Sequence, residues 1–229
     1  MTTHSIRLYQ QPASEYAPAL IAFFNFDNYF QNNDSDIKNY PLWNTDSLAQ
    51  LKAQSGAELL IGITDSADLA RQAVTTKPDV VDAVIQCDAD DFDALLALFE
   101  IALVRGEMRG HLFDVRALMQ SGLQFLFIQA QVKGKQQPQR AIQASHKVVR
   151  RLAKQGVAPS QVTEYLLVME SAPRWRLEEL SLVTQIVEQD LSERVNYIYC
   201  TNSDRTHSAE KNHRFWIGAV YAIKPSDQR

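Results

Sequence analysis

Four carboxylates crowd one short stretch of this chain: Asp88, Asp90, Asp91 and Asp93 follow directly on the apolar run from Val80 to Cys87. Acids at the C-terminal end of a buried strand stand where α/β proteins place ligands and metals. Magnesium held there would use two of these carboxylates and a phosphate oxygen of its substrate. The chemistry would be that of a small magnesium-dependent phosphatase or nucleotidase. The plainer reading is that the acids cap the following helix and complement its dipole, because nothing nearby supplies phosphate contacts.

Two other groups invite a chemical reading. His207, Glu210 and His213, with Cys200 nearby, superficially suggest zinc, but their spacing matches no established ligand pattern, and so polar a loop needs no metal. Lys133 to Lys154 holds seven Lys or Arg and no acid. Its members Arg140, Lys147, Arg151 and Lys154 fall on one helical stripe that could meet anionic lipid, nucleic acid or an acidic protein surface. No aromatic residues interleave with these charges and no nucleic-acid motif accompanies them, so a solvated face is expected and no nucleic-acid partner. If the stripe binds anything, its simplest complement is the acidic first half of another copy or of a partner. From Asp27 to Glu100 there are 14 acids against Lys38, Lys52, Arg71 and Lys77.

Composition bounds the rest. A chain of 229 residues that is 45% apolar can bury a large core without disulfides or metal. Cys87 and Cys200 sit far apart in apolar runs, as buried thiols of a reducing compartment do. No leader-like segment and no apolar stretch of membrane-spanning length is visible, so a cytoplasmic protein is expected.

The elements that must position these residues alternate. Ser5 to Tyr9 reads as a short strand, Tyr16 to Phe30 as a phenylalanine-rich helix with core aromatics, and Asn32 to Asn39 as a loop. Tyr40 to Trp43 is extended, and Asn44-Thr45-Asp46-Ser47 offers N-cap chemistry to a helix through Lys52. Leu59 to Ile63 is a strand, Ser66 to Val74 a helix, and Val80 to Cys87 a buried parallel strand. Phe92 to Val104 is so apolar that it is expected to lie buried between the two halves. The second half then reads strand (Leu123 to Gln131), helix (Arg140 to Gln155, with Ile142, Ser145, Val149 and Leu152 inward), strand (Tyr165 to Met169), helix (Leu177 to Leu191) and two strands (Val195 to Thr201, Phe215 to Ile223).

This order, with Leu112-Phe113-Asp114-Val115-Arg116-Ala117-Leu118-Met119 just ahead of it, resembles the C-terminal half of the FtsZ and tubulin superfamily. Asn44-Thr45-Asp46 with Leu48, Gln50 and Leu51 looks like the family's asparagine-threonine-aspartate segment. Gly62 is placed like the glycine beyond it, and Phe92 to Val104 with Arg105 to His111 like the central helix and its following loop. The resemblance implies an α/β fold: a shrunken Rossmann-like parallel-sheet domain (residues 1–91), a central helix and loop (92–111), and a second α+β domain of a four-stranded sheet with two helices (112–229).

The departures bear on activity. The family binds GTP with glycine-rich loops, whose amides approach phosphate because no side chain intervenes. The eight glycines here lie singly at 56, 62, 106, 110, 122, 134, 156 and 218. The first loop position holds Gln10-Gln11-Pro12-Ala13-Ser14-Glu15. The long glycine and threonine signature is either replaced by Cys87 to Asp93 or deleted with its neighbours. In the family, the loop after the central helix carries an asparagine and two acids that act on the next subunit's nucleotide. Arg109, His111 and Asp114 stand at those positions, so one of the three is kept. The resemblance therefore implies a degenerate, non-enzymatic FtsZ-like protein without cofactor, which binds FtsZ or itself and modulates polymerisation or cell division. Arg109, His111 and Asp114 would face a neighbour.

Overall fold

A computed structural model describes residues 8–10, 20–26, 30–31, 42–43, 45–172, 174–204 and 213–224. The first part holds β1 (Leu8–Gln10), β2 (Leu20–Asn25), β3 (Phe30–Gln31), β4 (Leu42–Trp43), α1 (Thr45–Ser55), β5 (Leu59–Thr64), α2 (Ala67–Thr76) and β6 (Ala83–Gln86). Then come α3 (Phe92–Glu100), a π turn (Ile101–Arg105) and α4 (Leu112–Met119). The second part is β7 (Gln124–Lys133), α5 (Gln137–Lys154), β8 (Val162–Ser171), α6 (Leu177–Glu188), β9 (Asn196–Ser203) and β10 (Arg214–Ile223).

One eight-stranded sheet runs through the molecule in the order β1-β2-β5-β6-β7-β10-β8-β9, with β3 and β4 forming a separate pair. The first section, β2-β5-β6-β7, is parallel, as strand and helix alternation requires. In the second, β10 lies antiparallel between β7 and β8, and β9 joins β8 in parallel. Among the described residues the strand ladder passes from β6 to β7 at Ile85↔Phe125 and Gln86↔Leu126, because β6 is short while β7 pairs with β10 along all ten residues. The second half has the predicted order of elements, and its four strands carry α5 and α6 on one face.

Burial alternates strictly across the sheet. Phe23, Ile61, Ile85, Phe125, Leu166 and Val220 face α3, the π turn and α4, whose Leu95, Phe99, Ala102, Val115 and Met119 complete a core spanning both halves. On the opposite face, Phe24, Leu60 and Val84 pack against α1 and α2. Leu126, Leu167, Tyr165 and Ile217 pack on that face against α5 and α6. The Phe23 and Phe99 rings meet at 5.4 Å, which ties the predicted central helix to β2. Trp216 folds back over Gly218, where a Cβ would meet its ring at 2.6 Å, so that glycine is needed for the close approach.

Several expectations are corrected. The stretch expected as a helix from Tyr16 to Phe30 contains the strand β2. Ile21 and Phe23 face one side, Ala22 and Phe24 the other, and all four are buried. A strand covered on both faces loses its alternation and reads as unbroken apolar sequence. Tyr16 to Pro18, the turn Gln11 to Ser14 and the loop Asn32 to Asn39 lie outside the described residues. The strand expected from Val80 begins only at Ala83, because the Asp82 carboxylate accepts the Leu60 N–H (2.8 Å) in place of a ladder carbonyl. The helix expected to run to Val104 changes to the π turn after Glu100.

The Arg140 assignment also fails. Placed on an exposed basic stripe by its spacing, it is about 1% exposed and forms an ion pair with Glu179 at 3.2 Å. The buried stripe of α5 is Ala141, Ala144, Ser145, Val148 and Leu152; Ile142 and Val149 are only partly covered. Small residues bring the helix close to the sheet, and α6 covers the flank on which Arg140 sits.

Candidate functional site

The π turn sets the position of the loop that follows it. Gly106 N–H donates to Ile101 O, and Gly110 N–H returns to Ala102 O, both at 2.9 Å. Between them the chain meets the outer edge of β9: Glu107 and Met108 donate to Thr201 O at 2.8 and 3.2 Å, and Thr201 N–H donates to Met108 O at 2.9 Å. Gly110 passes so near the sheet that a Cβ would lie 3.0 Å from Ile198 Cγ2 and 3.5 Å from Cys200 Sγ. A side chain there would require the Ile198 side chain to give way by a few tenths of an ångström.

His111 then caps α4. Its backbone is extended and its Nδ1 accepts the Phe113 N–H at 3.1 Å, so a side-chain acceptor satisfies one of the helix's orphan donors. Asp114 lies exposed in the first turn, complementing the helix dipole. Arg109 is exposed, with Nη1 donating to Val104 O at 3.2 Å. Arg109, His111 and Asp114 thus stand together on one wall of a concavity of about 630 Å³. The opposite wall is Glu164 and Tyr165 of β8 with Asn196 to Tyr199 of β9.

A tyrosine cluster stiffens that second wall. Tyr165 and Tyr199 both donate to Glu188 Oε1 on α6, at 2.8 and 2.6 Å, and their hydroxyls also touch each other. Tyr197 stacks on Tyr199 with ring centroids 4.9 Å apart and is 59% exposed. Burial pushes the Tyr165 and Tyr199 phenols above their ordinary value, and bonding to Glu188 adds to this, so both stay neutral donors.

The other predicted positions behave differently. Lys147 and Arg151 are exposed, but they lean back on the carbonyls of Gln131 and Gln129, while Lys154 is exposed. Asp88 and Asp91 make no side-chain cap hydrogen bond. Asp91 Oδ1 accepts from Gln129 Nε2 at 2.8 Å, and Gln129 Oε1 accepts from Trp216 Nε1 at 2.6 Å. That chain fixes the loop before α3 to the sheet. Among the described residues no group of three or more His, Cys, Asp or Glu could hold a metal ion. His207 and Glu210 lie outside the described residues. Cys87 and Cys200 are buried, and burial pushes their thiols up to about 12 and about 11, which leaves them unreactive.

Two buried acids escaped the sequence reading. Glu170 accepts from Asn202 Nδ2, Arg105 Nη1 and Arg214 Nη2 at 2.6, 3.1 and 2.8 Å, so it joins the π turn to β8, β9 and β10. Asp82 accepts from Lys52 Nζ, the Leu60 N–H and Gln120 Nε2 at 2.7, 2.8 and 2.8 Å, joining α1, β5 and the end of α4. The one available signal was an acid inside an otherwise apolar run.

A tryptophan-to-tyrosine mutant of FtsZ from M. jannaschii superposes with a TM-score of 0.54 at 15% identity, over 76% of this chain and 59% of that one. An empty FtsZ dimer from M. jannaschii gives 0.52 at 15% identity, over 76% and 57%. The fold is FtsZ-like. The chain spans less than two thirds of the length of these FtsZ chains. The sequence itself matches no known family description and no curated protein. No helix among the described residues is long and apolar enough to cross a membrane.

Proposed function

We propose that this FtsZ-like chain is a reduced relative of the polymerising GTPases that does not hydrolyse GTP and acts by docking. Its partner is FtsZ or a second copy, and the consequence is modulation of polymerisation or cell division. In this reading residues 1–91 are a shrunken nucleotide-binding-type part, 92–111 a central helix and loop, and 112–229 an FtsZ-like C-terminal domain, with the docking face where the loop meets that domain.

The observation that carries the reading is the joint exposure of Arg109, His111 and Asp114 on a loop and helix start pinned to β9 and opening on a concavity. Loops held by a rigid scaffold are where binding residues concentrate. Beyond complementing the dipole of α4, Asp114 makes no side-chain hydrogen bond or ion pair among the described residues. Lys154, with Lys147 and Arg151, offers an accessory basic surface to an acidic partner, and Arg140, being buried, is excluded. The loss of a glycine run supports the absence of GTPase activity, since bulky and acidic side chains keep main-chain amides from phosphate.

Co-sedimentation with polymerised FtsZ tests this. The wild-type chain pellets with polymer, and Arg109→Ala with Asp114→Ala lowers the pelleted fraction towards background. Equal pelleting of the variant would reject the face.

A further inference from the structure

The docking face has an open strand edge in its wall. β9 is the last strand of the sheet, bonded to β8 on one side only. At Thr201 the outer side is occupied, because its N–H and C=O both pair with the Glu107–Met108 segment. Backbone groups along a strand alternate between its two edges with a period of two. Since those of Thr201 point outward, those of Tyr199 and Tyr197 do too, while Ile198 and Cys200 bond to β8. No group among the described residues meets the outward amides and carbonyls of Tyr197 and Tyr199.

Beyond Leu126, β7 has no strand partner on the β6 side among the described residues, and there Lys147 and Arg151 lie on the Gln131 and Gln129 carbonyls. Basic side chains on an edge block strand addition. At Tyr197 and Tyr199 nothing comparable among the described residues covers the backbone, and the edge instead borders the concavity beside α4.

We infer that a partner polypeptide adds an extended segment to β9 in this concavity, pairing with Tyr197 and Tyr199. The inference rests on the docking face proposed above and names how it is used. Main-chain bonds to an exposed edge supply affinity, and flanking side chains supply selectivity. The flanks here differ in sign. Gly110 packs on Ile198 and Cys200, so Arg109 and His111 stand beside the Tyr199 end of the open stretch. Glu164 is in register with Asn196 and hydrogen-bonded to it at 3.4 Å, so the other end is acidic, and Asp114 in the first turn of α4 lines the same concavity. The incoming segment therefore carries an acidic side chain where it passes the Arg109 guanidinium and the His111 Nε2–H, and a basic one where it passes Glu164. The Glu107–Met108 segment ends the available edge at Thr201 and so limits the register.

The test uses the full chain and a capped peptide of about ten residues, alternating Thr and Val, with Glu near one end and Lys near the other. Amide exchange is read by NMR at millimolar peptide. The Tyr197 and Tyr199 amides slow by about fivefold or more, while Ile198 and Cys200, already bonded to β8, do not change. Tyr197→Pro removes an outward N–H without touching the ladder to β8 and abolishes the effect, whereas Tyr197→Thr retains it. A peptide with central proline gives no protection, and one with Lys in place of Glu binds more weakly. The inference is overturned if neither amide slows, or if Tyr197→Pro binds as wild type does. It is equally overturned if both amides are protected in the free protein and Tyr197→Pro converts a dimer to monomer, for the occupant would then be a second copy. If the peptide fails but FtsZ polymer still pellets the chain through Arg109 and Asp114, the pairing mode falls and the docking face stands. If the peptide pairs and polymer does not pellet the chain, the FtsZ reading falls alone.

Discussion

Arg140 and Glu179 face each other at 3.2 Å between α5 and α6, each side chain about 1% exposed. The guanidinium also donates to Ala172 O at 2.7 Å and Ser171 Oγ at 2.6 Å, and Glu179 accepts the Arg176 N–H at 3.0 Å. The pair therefore clamps two helices to the end of β8. Such pairs are costly to break, because removing one member strands a buried charge. Arg140→Met should destabilise the fold by about 3–5 kcal/mol in urea titration. Arg140→Met with Glu179→Leu should recover most of that loss; a double variant no better than the single would mean the pair is not the source of the cost.

The same carboxyl sets a pH dependence. Burial raises the pKa of Glu179 above its ordinary value, although Arg140 and the other donors pull it back. A carboxyl raised by folding holds its proton more tightly in the native state, so its contribution is present at low pH and lost as pH rises through the folded pKa. In Arg140→Met the opposing charge is gone, so stability should fall more steeply from weakly acidic to neutral pH than in the wild type. Adding Glu179→Gln should flatten that slope, and a slope unchanged by it would assign the titration to another group.

Tyr165 and Tyr199 should titrate late. Their phenols are raised by burial, so the neutral form is favoured in the fold, and the corresponding stability is full below the unfolded value near pH ~10 and lost above it. Absorbance at alkaline pH should show exposed tyrosines ionising first and these two only with unfolding. Early, unfolding-independent ionisation of all tyrosines would contradict the packing.

Tyr221 offers the opposite case. Its hydroxyl is buried with no partner among the described residues. Tyr221→Phe should leave stability unchanged or raise it by about 1 kcal/mol. A loss of that size in a thermal melt would reveal a partner for the hydroxyl.

Lys147 and Arg151 should guard against self-association. Replacing both with alanine uncovers the Gln131 and Gln129 carbonyls on the free part of β7. Light scattering should then rise with concentration while the melting temperature changes little. No rise would show that the β7 edge is covered by other means.

Nucleotide should leave the melting temperature unmoved. A ligand that binds the native state stabilises it by mass action, by about 2.7 kcal/mol at a hundred times its dissociation constant. GTP and GDP with magnesium are expected to give no shift in this chain; a clear shift would restore the nucleotide pocket and reject the reduced reading.

The arrangement of β7, α5, β8, α6, β9 and β10 was legible because each strand is a dense apolar run and each helix carries its own stripe. The wall Arg109, His111 and Asp114 could be named from the loop after the central helix, and the structure puts all three on one concavity. The opposite wall could not, since Tyr165, Tyr197 and Tyr199 meet His111 and Asp114 only through the sheet. By itself the sequence determined which stretches are apolar, in what order strands and helices follow one another in the second half, and that no glycine run is present. Tertiary structure alone decided that β2 is a strand, that Arg140 turns inward, that Asp82 and Glu170 are buried clasps, and that β6 and β7 join the two sections. The physical reason is that local periodicity reports only a half-buried surface. An element covered on both faces has no period, and a buried charge is specified by partners tens of residues away.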